Sequence, residues 1–433
     1  MRKLTLVIAT ILTLSITSCV KNIDTNKKSG SVDFTEMNVP ANFDWQTTED
    51  AICDFTSAKH ASKVSIFTSD PNNAIATFIA GEGIDKPSIS LPKTVKSLTV
   101  KYEKENGFSV GTTLNVSNGK IQYTVPDDSK SIDVNAASDQ TKAVNFNVKP
   151  SHIYVPSSTS MATLLFEDLW PSYGDYDLND FAVNYRFDLA LNKKNRVEEI
   201  RLQVRMNAVG GNEPFDLYLQ LNELNASDID DLIMLEYTKN TSNNPEMVLL
   251  NPYRDEPAIF LLKNIKENKN KPKGGSFLNV SQGYEIPVNQ LVEFQFNLFA
   301  RKNITNNVIH KILPHQLTQK NINFFIAKSD DATLKEIHIG GQAPSSLGKD
   351  HYDLLQKNSN VTDKSTDYYF SNTHLVWAIS VPIVIPHAYE GKKFTETYLH
   401  FQEWAESGGA NYADWYYDMD GYRDKANTVD VGN

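Results

Sequence analysis

The densest group of chemically capable side chains is Phe166-Glu167-Asp168-Leu169-Trp170-Pro171-Ser172-Tyr173-Gly174-Asp175-Tyr176-Asp177-Leu178-Asn179-Asp180-Phe181, which holds five carboxylates and an asparagine. Asp175, Asp177 and Asn179 fall at every second position, so a tightly turned loop could aim their side chains at one point. Calcium takes six to eight oxygens at about 2.3–2.6 Å, and such a loop offers carboxylates, a side-chain amide and backbone carbonyls. Calcium is therefore the expected cofactor, with Glu167, Asp168, Asp175, Asp177, Asn179 and Asp180 as candidate ligands. Without a cation, carboxylates crowded together raise one another's pKa, a cost that folding must offset; the metal would be structural. An EF-hand is excluded: counting from Asp175, its glycine and glutamate positions fall on Asp180 and Arg186. The competing reading is that Asp175 and Asp180 cap backbone NH groups of a tight turn, as Asp and Asn do routinely.

The elements that must position this loop read as strands. Phe181, Val183, Tyr185, Phe187 and Leu189 alternate with mostly polar neighbours, the period of a half-buried strand. Similar runs follow at 199–206, 215–221, 291–298 and 322–326, enough for a sandwich. Upstream, short β runs at 51–55, 63–67, 74–79, 97–102 and 120–125, separated by turns such as Asp70-Pro71-Asn72, suggest a smaller Ig-like sandwich. The expected fold is mostly β, with two β-sandwich domains at residues 41–148 and 155–428. One helix is expected, from Phe394 to Glu406, stopped by Gly408-Gly409.

At this point the residues carry a resemblance. The segment Thr163-Leu164-Leu165-Phe166-Glu167-Asp168-Leu169-Trp170-Pro171, then Gly174 to Asp180 and the alternating strand, resembles the LruC-type domain of bacterial surface and outer-membrane lipoproteins. Glu336-Ile337-His338-Ile339, Trp377-Ala378, Pro382, Pro386, Ala405-Glu406-Ser407-Gly408-Gly409 and Asp414-Trp415-Tyr416 look like its C-terminal half. The likeness spans about residues 155–428. It implies a β-rich, exported protein of a family of largely unknown function, and it brings no catalytic residues.

The N-terminus agrees with export. Arg2 and Lys3 precede the apolar run Leu4–Ile16, and Ile16-Thr17-Ser18 leads into Cys19, which reads as a lipoprotein signal at 1–18 with Cys19 as the lipidated residue. That run is short of the roughly 20 residues that cross a bilayer. Residues 19–40 read as a polar tether. Val20 after the cysteine is not an inner-membrane retention aspartate, which points to the outer membrane or cell surface.

Composition limits the partners. A net charge of −11 argues against nucleic acid. Beyond Cys19 there is only Cys53, so no intramolecular disulfide and no cysteine-built zinc site is expected. The nine histidines include no HExxH motif, and His338, His374, His387 and His400 stand singly. Catalytic glycine and serine motifs are lacking, so a non-enzyme is expected. Trp415, Tyr416 and Tyr417 form an aromatic cluster near the C-terminus that could stack on sugar rings or pin the chain end to the core. Together these features read as a lipid-anchored binding or adhesion module, its partners the membrane through its anchor and a glycan or an envelope or host-surface protein. The alternative is a structural or assembly component of an envelope complex with no soluble ligand; a glycan-processing enzyme is the remote third.

Overall fold

The alternation of Phe181–Leu189 is realised as an eleven-residue strand in which Phe181, Val183, Tyr185, Phe187 and Leu189 are all buried. The computed structural model describes residues 33–134, 151–237, 240–241, 243–271, 273, 277–300, 302–303, 308–309, 312–330, 333–362 and 367–430. The expected signal segment, Cys19 and tether residues 20–32 lie outside the described residues. We label the strands that build the N-terminal part and the site β1 (Thr48–Ser57), β2 (Ser62–Phe67), β3 (Ala76–Ala80), β4 (Ser88–Pro92), β5 (Ser97–Glu103), β6 (Ser109–Asn115), β7 (Lys120–Val125), β8 (Ser151–Val155), β9 (Ala162–Phe166), β10 (Phe181–Leu191) and β11 (Val197–Ala208).

The largest sheet runs in the order Ile229–Tyr237, Val292–Ala300, β11, β10, β8, β3, β2, β5, β6, with β9 on β10 and Ala378–Val381 on β9. β10 is its hub. One edge pairs β11 along its length, while the other is shared, residues 181–185 with β9 and 187–191 with β8. Two smaller sheets cover this one. The five-stranded sheet containing Asp216–Asn225 and Ile322–Asp330 packs on the C-terminal half, where Tyr185 and Phe324 place their ring centroids 4.7 Å apart. The three-stranded sheet β4-β1-β7 covers the N-terminal half, where Phe55 meets Phe78 at 5.2 Å. The architecture is thus mostly β and sandwich-like, as expected.

The two halves are joined more closely than the sequence suggests. Ala76 and Thr77 of β3 pair with Ile153 and His152 of β8, so strands from 41–148 and from 155–428 share one continuous sheet. Each strand satisfies backbone groups that would otherwise form an exposed edge.

Three local expectations are corrected. The tether does not extend to residue 40, because Phe34, Met37 and Val39 are buried and Phe34 stacks on Tyr176 with centroids 4.0 Å apart. The expected helix 394–406 is two short helices, Phe394–Thr397 and Phe401–Glu406. It breaks at Tyr398, which is extended and bridges to Arg423, while Leu399 N donates to Tyr422 O: a tertiary pairing outcompetes the local helix. A further helix, Lys349–Leu355, had no clear periodic signal. Cys53 is fully buried, and burial pushes its thiol far above its ordinary pKa, which leaves it inert. Among the described residues no helix is long and apolar enough to cross a membrane.

Phe34 makes the docking of the N-terminal segment testable. Phe34→Ala is expected to destabilise the protein by about 3–5 kcal/mol, the usual cost of emptying a buried aromatic site. Urea unfolding reads this as a lower midpoint, and a loss below about 1 kcal/mol would show that the segment is not part of the core.

Candidate metal site

Phe166 at the end of β9 pairs directly with Phe181 at the start of β10, so residues 167–180 are a loop whose two ends are clamped in a ladder. Two buried anchors fold it inward. Tyr176 and Leu178 both take positive φ, 54° and 55°, and both are buried with Leu165, Ala182 and Ala208 in the C-terminal core. Asp175, Asp177 and Asn179 alternate with these two left-handed residues; Asp177 and Asn179 are buried and Asp175 is exposed.

Glu167, Asp175 and Asp177 converge: one carboxylate oxygen from each lies within 4.8 Å of the others, with Glu167 and Asp177 buried and Asp175 exposed at the mouth. Among the described residues this is the group of three acidic or histidine side chains able to share a cation. Glu167 Oε1 accepts from Leu178 N at 2.8 Å, while Oε2 is buried and receives no hydrogen bond. Gly174 lies against that oxygen; a Cβ there would sit 2.0 Å from Glu167 Oε2.

Asp168, Asn179 and Asp180 sit beside this group without joining it. Asp180 Oδ2 accepts from Asp168 N at 2.8 Å, and Asp168 Oδ2 accepts a long bond from Glu213 N at 3.4 Å. Asn179 Oδ1 is buried with no donor and faces Gly210, where an added Cβ would lie 2.0 Å from it and 2.7 Å from Glu390 Oε2. Turn capping and convergence coexist here: Asp177 Oδ1 accepts from Asn179 N at 3.1 Å and its Oδ2 accepts from Gly391 N at 2.7 Å.

Glu390 is the residue that sequence reasoning missed. It comes from a turn over two hundred residues downstream, held to the loop by Gly391 N on Asp177, by Asn179 Nδ2 on Ala388 O and by Phe394 N on Tyr176 O. Nothing in Tyr389-Glu390-Gly391-Lys392 marks it as part of an acidic site.

The electrostatics record the crowding. Burial, then the charges of Asp180 and Asp177, holds Glu167 well above the usual carboxylate range. Burial and the Asp175 charge push Asp177 up to about 8, and burial with Asp168 pushes Asp180 up to about 8. Burial also raises Asp168. Partial burial of its carboxyl, then Asp175 and Asp168, raises Glu390 to about 7. Such a set is costly to ionise without a compensating positive charge.

The remaining sequence candidates fall elsewhere. Trp415 and Tyr416 are 0 % and 1 % exposed and pack with Phe394, Tyr398 and Trp404, so they pin the chain end to the core and cannot stack on a ligand. Tyr417 alone of the three lines a surface cleft. The single histidines have structural partners: His338 Nε2 lies 3.0 Å from Glu336, His374 Nε2 2.6 Å from Phe43 O, and His387 Nε2 2.7 Å from Asn279 O, while His400 stacks on Tyr412.

A family described as a domain of unknown function, DUF4842, matches residues 195–416, just over half of the sequence. The chain belongs to the DUF4842 family. The matched stretch of this DUF4842 protein lies inside the span 155–428 read from the motifs, and it supplies Gly210, Gly211, Glu213, Glu390 and Gly391 to the site. Loop 167–180 lies outside the match. Among solved structures, a crystal structure described as a putative lipoprotein from Bacteroides ovatus is similar, with a TM-score of 0.59 at 18 % identity over 86 % of this chain and 100 % of that one. At that identity the likeness is one of fold. No curated protein matches the chain.

Proposed function

We propose that this DUF4842 protein is an exported, lipid-anchored binding module without catalysis of its own, and that loop 167–180 carries a structural calcium ion. Glu167 Oε2 carries the metal reading: it is a fully buried carboxylate oxygen with no hydrogen-bond donor, set within reach of Asp175 and Asp177. Leaving such an oxygen unpaired is expensive, and a cation is the partner that also offsets the raised acids around it. An all-oxygen donor set with one exposed member suits calcium, which keeps flexible geometry and enters from solvent. The bound ion would fix the β9–β10 loop, whose Asp177 in turn accepts from Gly391 N of the 388–394 turn.

Attachment through Cys19 to the outer membrane or cell surface belongs to the same proposal, supported by the signal-like run before Cys19 and by Val20 after it. So does the LruC-type kinship of residues 155–428. The absence of a nucleophile–base pair in the sequence motifs supports a non-catalytic role.

A thermal melt of the full chain tests the calcium reading. Calcium at about 100 times its dissociation constant adds ~2.7 kcal/mol to the native state and raises the midpoint. Asp175→Ala and Asp177→Ala should lose that response, and Asp175→Ala, whose side chain is exposed, should do so without lowering the midpoint in chelator. If both variants respond like the parent, the acids serve as turn caps.

A further inference from the structure

A cleft of about 1060 Å³ opens between the two halves of the molecule, far larger than a single water or ion needs. It is lined by Thr94 in the turn before β5, by Ser97 and Thr99 of β5, by Asp414 and Tyr417 of the C-terminal segment and by the turn carrying Asp70. Tyr417 OH and Thr94 Oγ1 approach to 3.4 Å across it.

We infer that this cleft binds a short neutral oligosaccharide; the inference rests on the binding-module reading above and supplies its ligand class. Serine and threonine hydroxyls alternate along the lining with apolar surface from Pro92, Pro156, Pro382, aliphatic side chains such as Val95 and Ile383, and the Tyr417 ring. Rows of hydroxyls and carboxylates match the paired hydroxyls of a sugar, and proline and tyrosine faces match its CH faces, since a tyrosine offers an apolar body and a polar tip. Lys96 is the lone basic residue lining the cleft, where Asp70 and Asp414 outnumber it, so the lining carries no net positive charge to select a phosphate or sulfate. An acyl chain would offer no partner to lining polar groups such as the Asp70 and Asp414 carboxylates and the exposed Ser97 hydroxyl, at a cost for each that it buried. Asp70 is already fixed by Asn72 N at 2.9 Å and Asn73 Nδ2 at 2.6 Å, which holds its carboxylate in place as an acceptor.

The test is an array printed with neutral glycans, anionic glycans and basic peptides, probed with the full chain in a detergent that has no sugar headgroup, followed by titration of the best binder. Two variants accompany it. Ser97→Trp, at an exposed strand position, fills the cleft, and Tyr417→Ala removes its ring. Binding of neutral oligosaccharides, weakened at least tenfold in both variants, with an unchanged melt in Ser97→Trp and the calcium response retained in both, is expected. Binding of an anionic glycan or a basic peptide that Ser97→Trp abolishes would overturn the neutral-sugar assignment and leave the binding-module reading standing. Neutral-glycan binding undiminished in Ser97→Trp would overturn the cleft, and no binding to any probe would overturn both.

Discussion

Raising the pH of the calcium-free protein from 6.5 to 8 is expected to cost it several kcal/mol of stability, and calcium is expected to cancel the loss. Burial and neighbouring carboxylates push Asp177 and Asp180 up to about 8 in the folded chain, against about 3.9 when unfolded. Between those values the folded state holds protons that the unfolded state has released. Stability is therefore fully present below the unfolded value and falls as pH rises through the folded one. Each such acid contributes roughly 1.4 kcal/mol per pH unit within the window, or about 2 kcal/mol from pH 6.5 to 8. Because the acids repel one another they titrate as a group, and the sum falls short of independent sites.

Buried histidines act in the opposite direction at lower pH. His387 is lowered to about 4 by burial, so the unfolded chain binds its proton more readily and stability rises with pH between about 4 and 6.5. Above 6.5 that contribution is complete, which leaves the acids to set the slope. Calcium displaces the protons on the acidic group, so its affinity should climb through the same window. Urea unfolding at pH 6.5, 7.25 and 8, in chelator and in calcium, reads both effects. A calcium-free stability that stays flat or rises across that range would mean the acids are ionised and satisfied without metal.

The second large effect concerns Gly210. A Cβ at this position would sit 2.0 Å from Asn179 Oδ1, 2.7 Å from Glu390 Oε2 and 3.1 Å from Asn179 O. Backbone and a buried amide cannot retreat cheaply, so Gly210→Ala should cost about 1–3 kcal/mol, as overpacking does. It should also abolish the calcium response, because Asn179 and the 388–391 turn are displaced together. Gly111→Ala is the control: its Cβ would meet Lys101 and Thr99 side chains at 3.5 Å, an ordinary contact, and the calcium response should be retained. A Gly210→Ala protein with normal stability and normal calcium response would show that the site tolerates movement there.

Much of this was legible in the sequence, for physical reasons. Alternation at Phe181–Leu189 and Glu199–Met206 is a local property of a pleated strand with one buried face, and both runs lie within the hub strands of the large sheet. The acidic loop was legible because five carboxylates within fourteen residues are dense enough to mark it, although three of them converge and Asp177 and Asp180 also accept from backbone NH groups. What stayed hidden is non-local. The β3–β8 pairing depends on two strands more than seventy residues apart finding each other's edges. Residues 33–40 looked like tether because Phe34, Met37 and Val39 show no period; they are buried against Tyr176 and the helices at 394–406, which sequence cannot place beside them. Glu390 carries no motif and enters the site only because Gly391 N and Phe394 N bond to the loop. The Trp415-Tyr416-Tyr417 cluster left two readings open, and burial divides it: two aromatics to the core and one to the cleft.

Crystals of the full chain grown with calcium, measured for anomalous scattering at long wavelength, test the metal site most directly. A peak is expected about 2.3–2.6 Å from oxygens of Glu167, Asp175 and Asp177, with Glu167 Oε2 as a ligand. A map with no peak there, and a water or a protein donor hydrogen-bonded to Glu167 Oε2 instead, would contradict the calcium assignment.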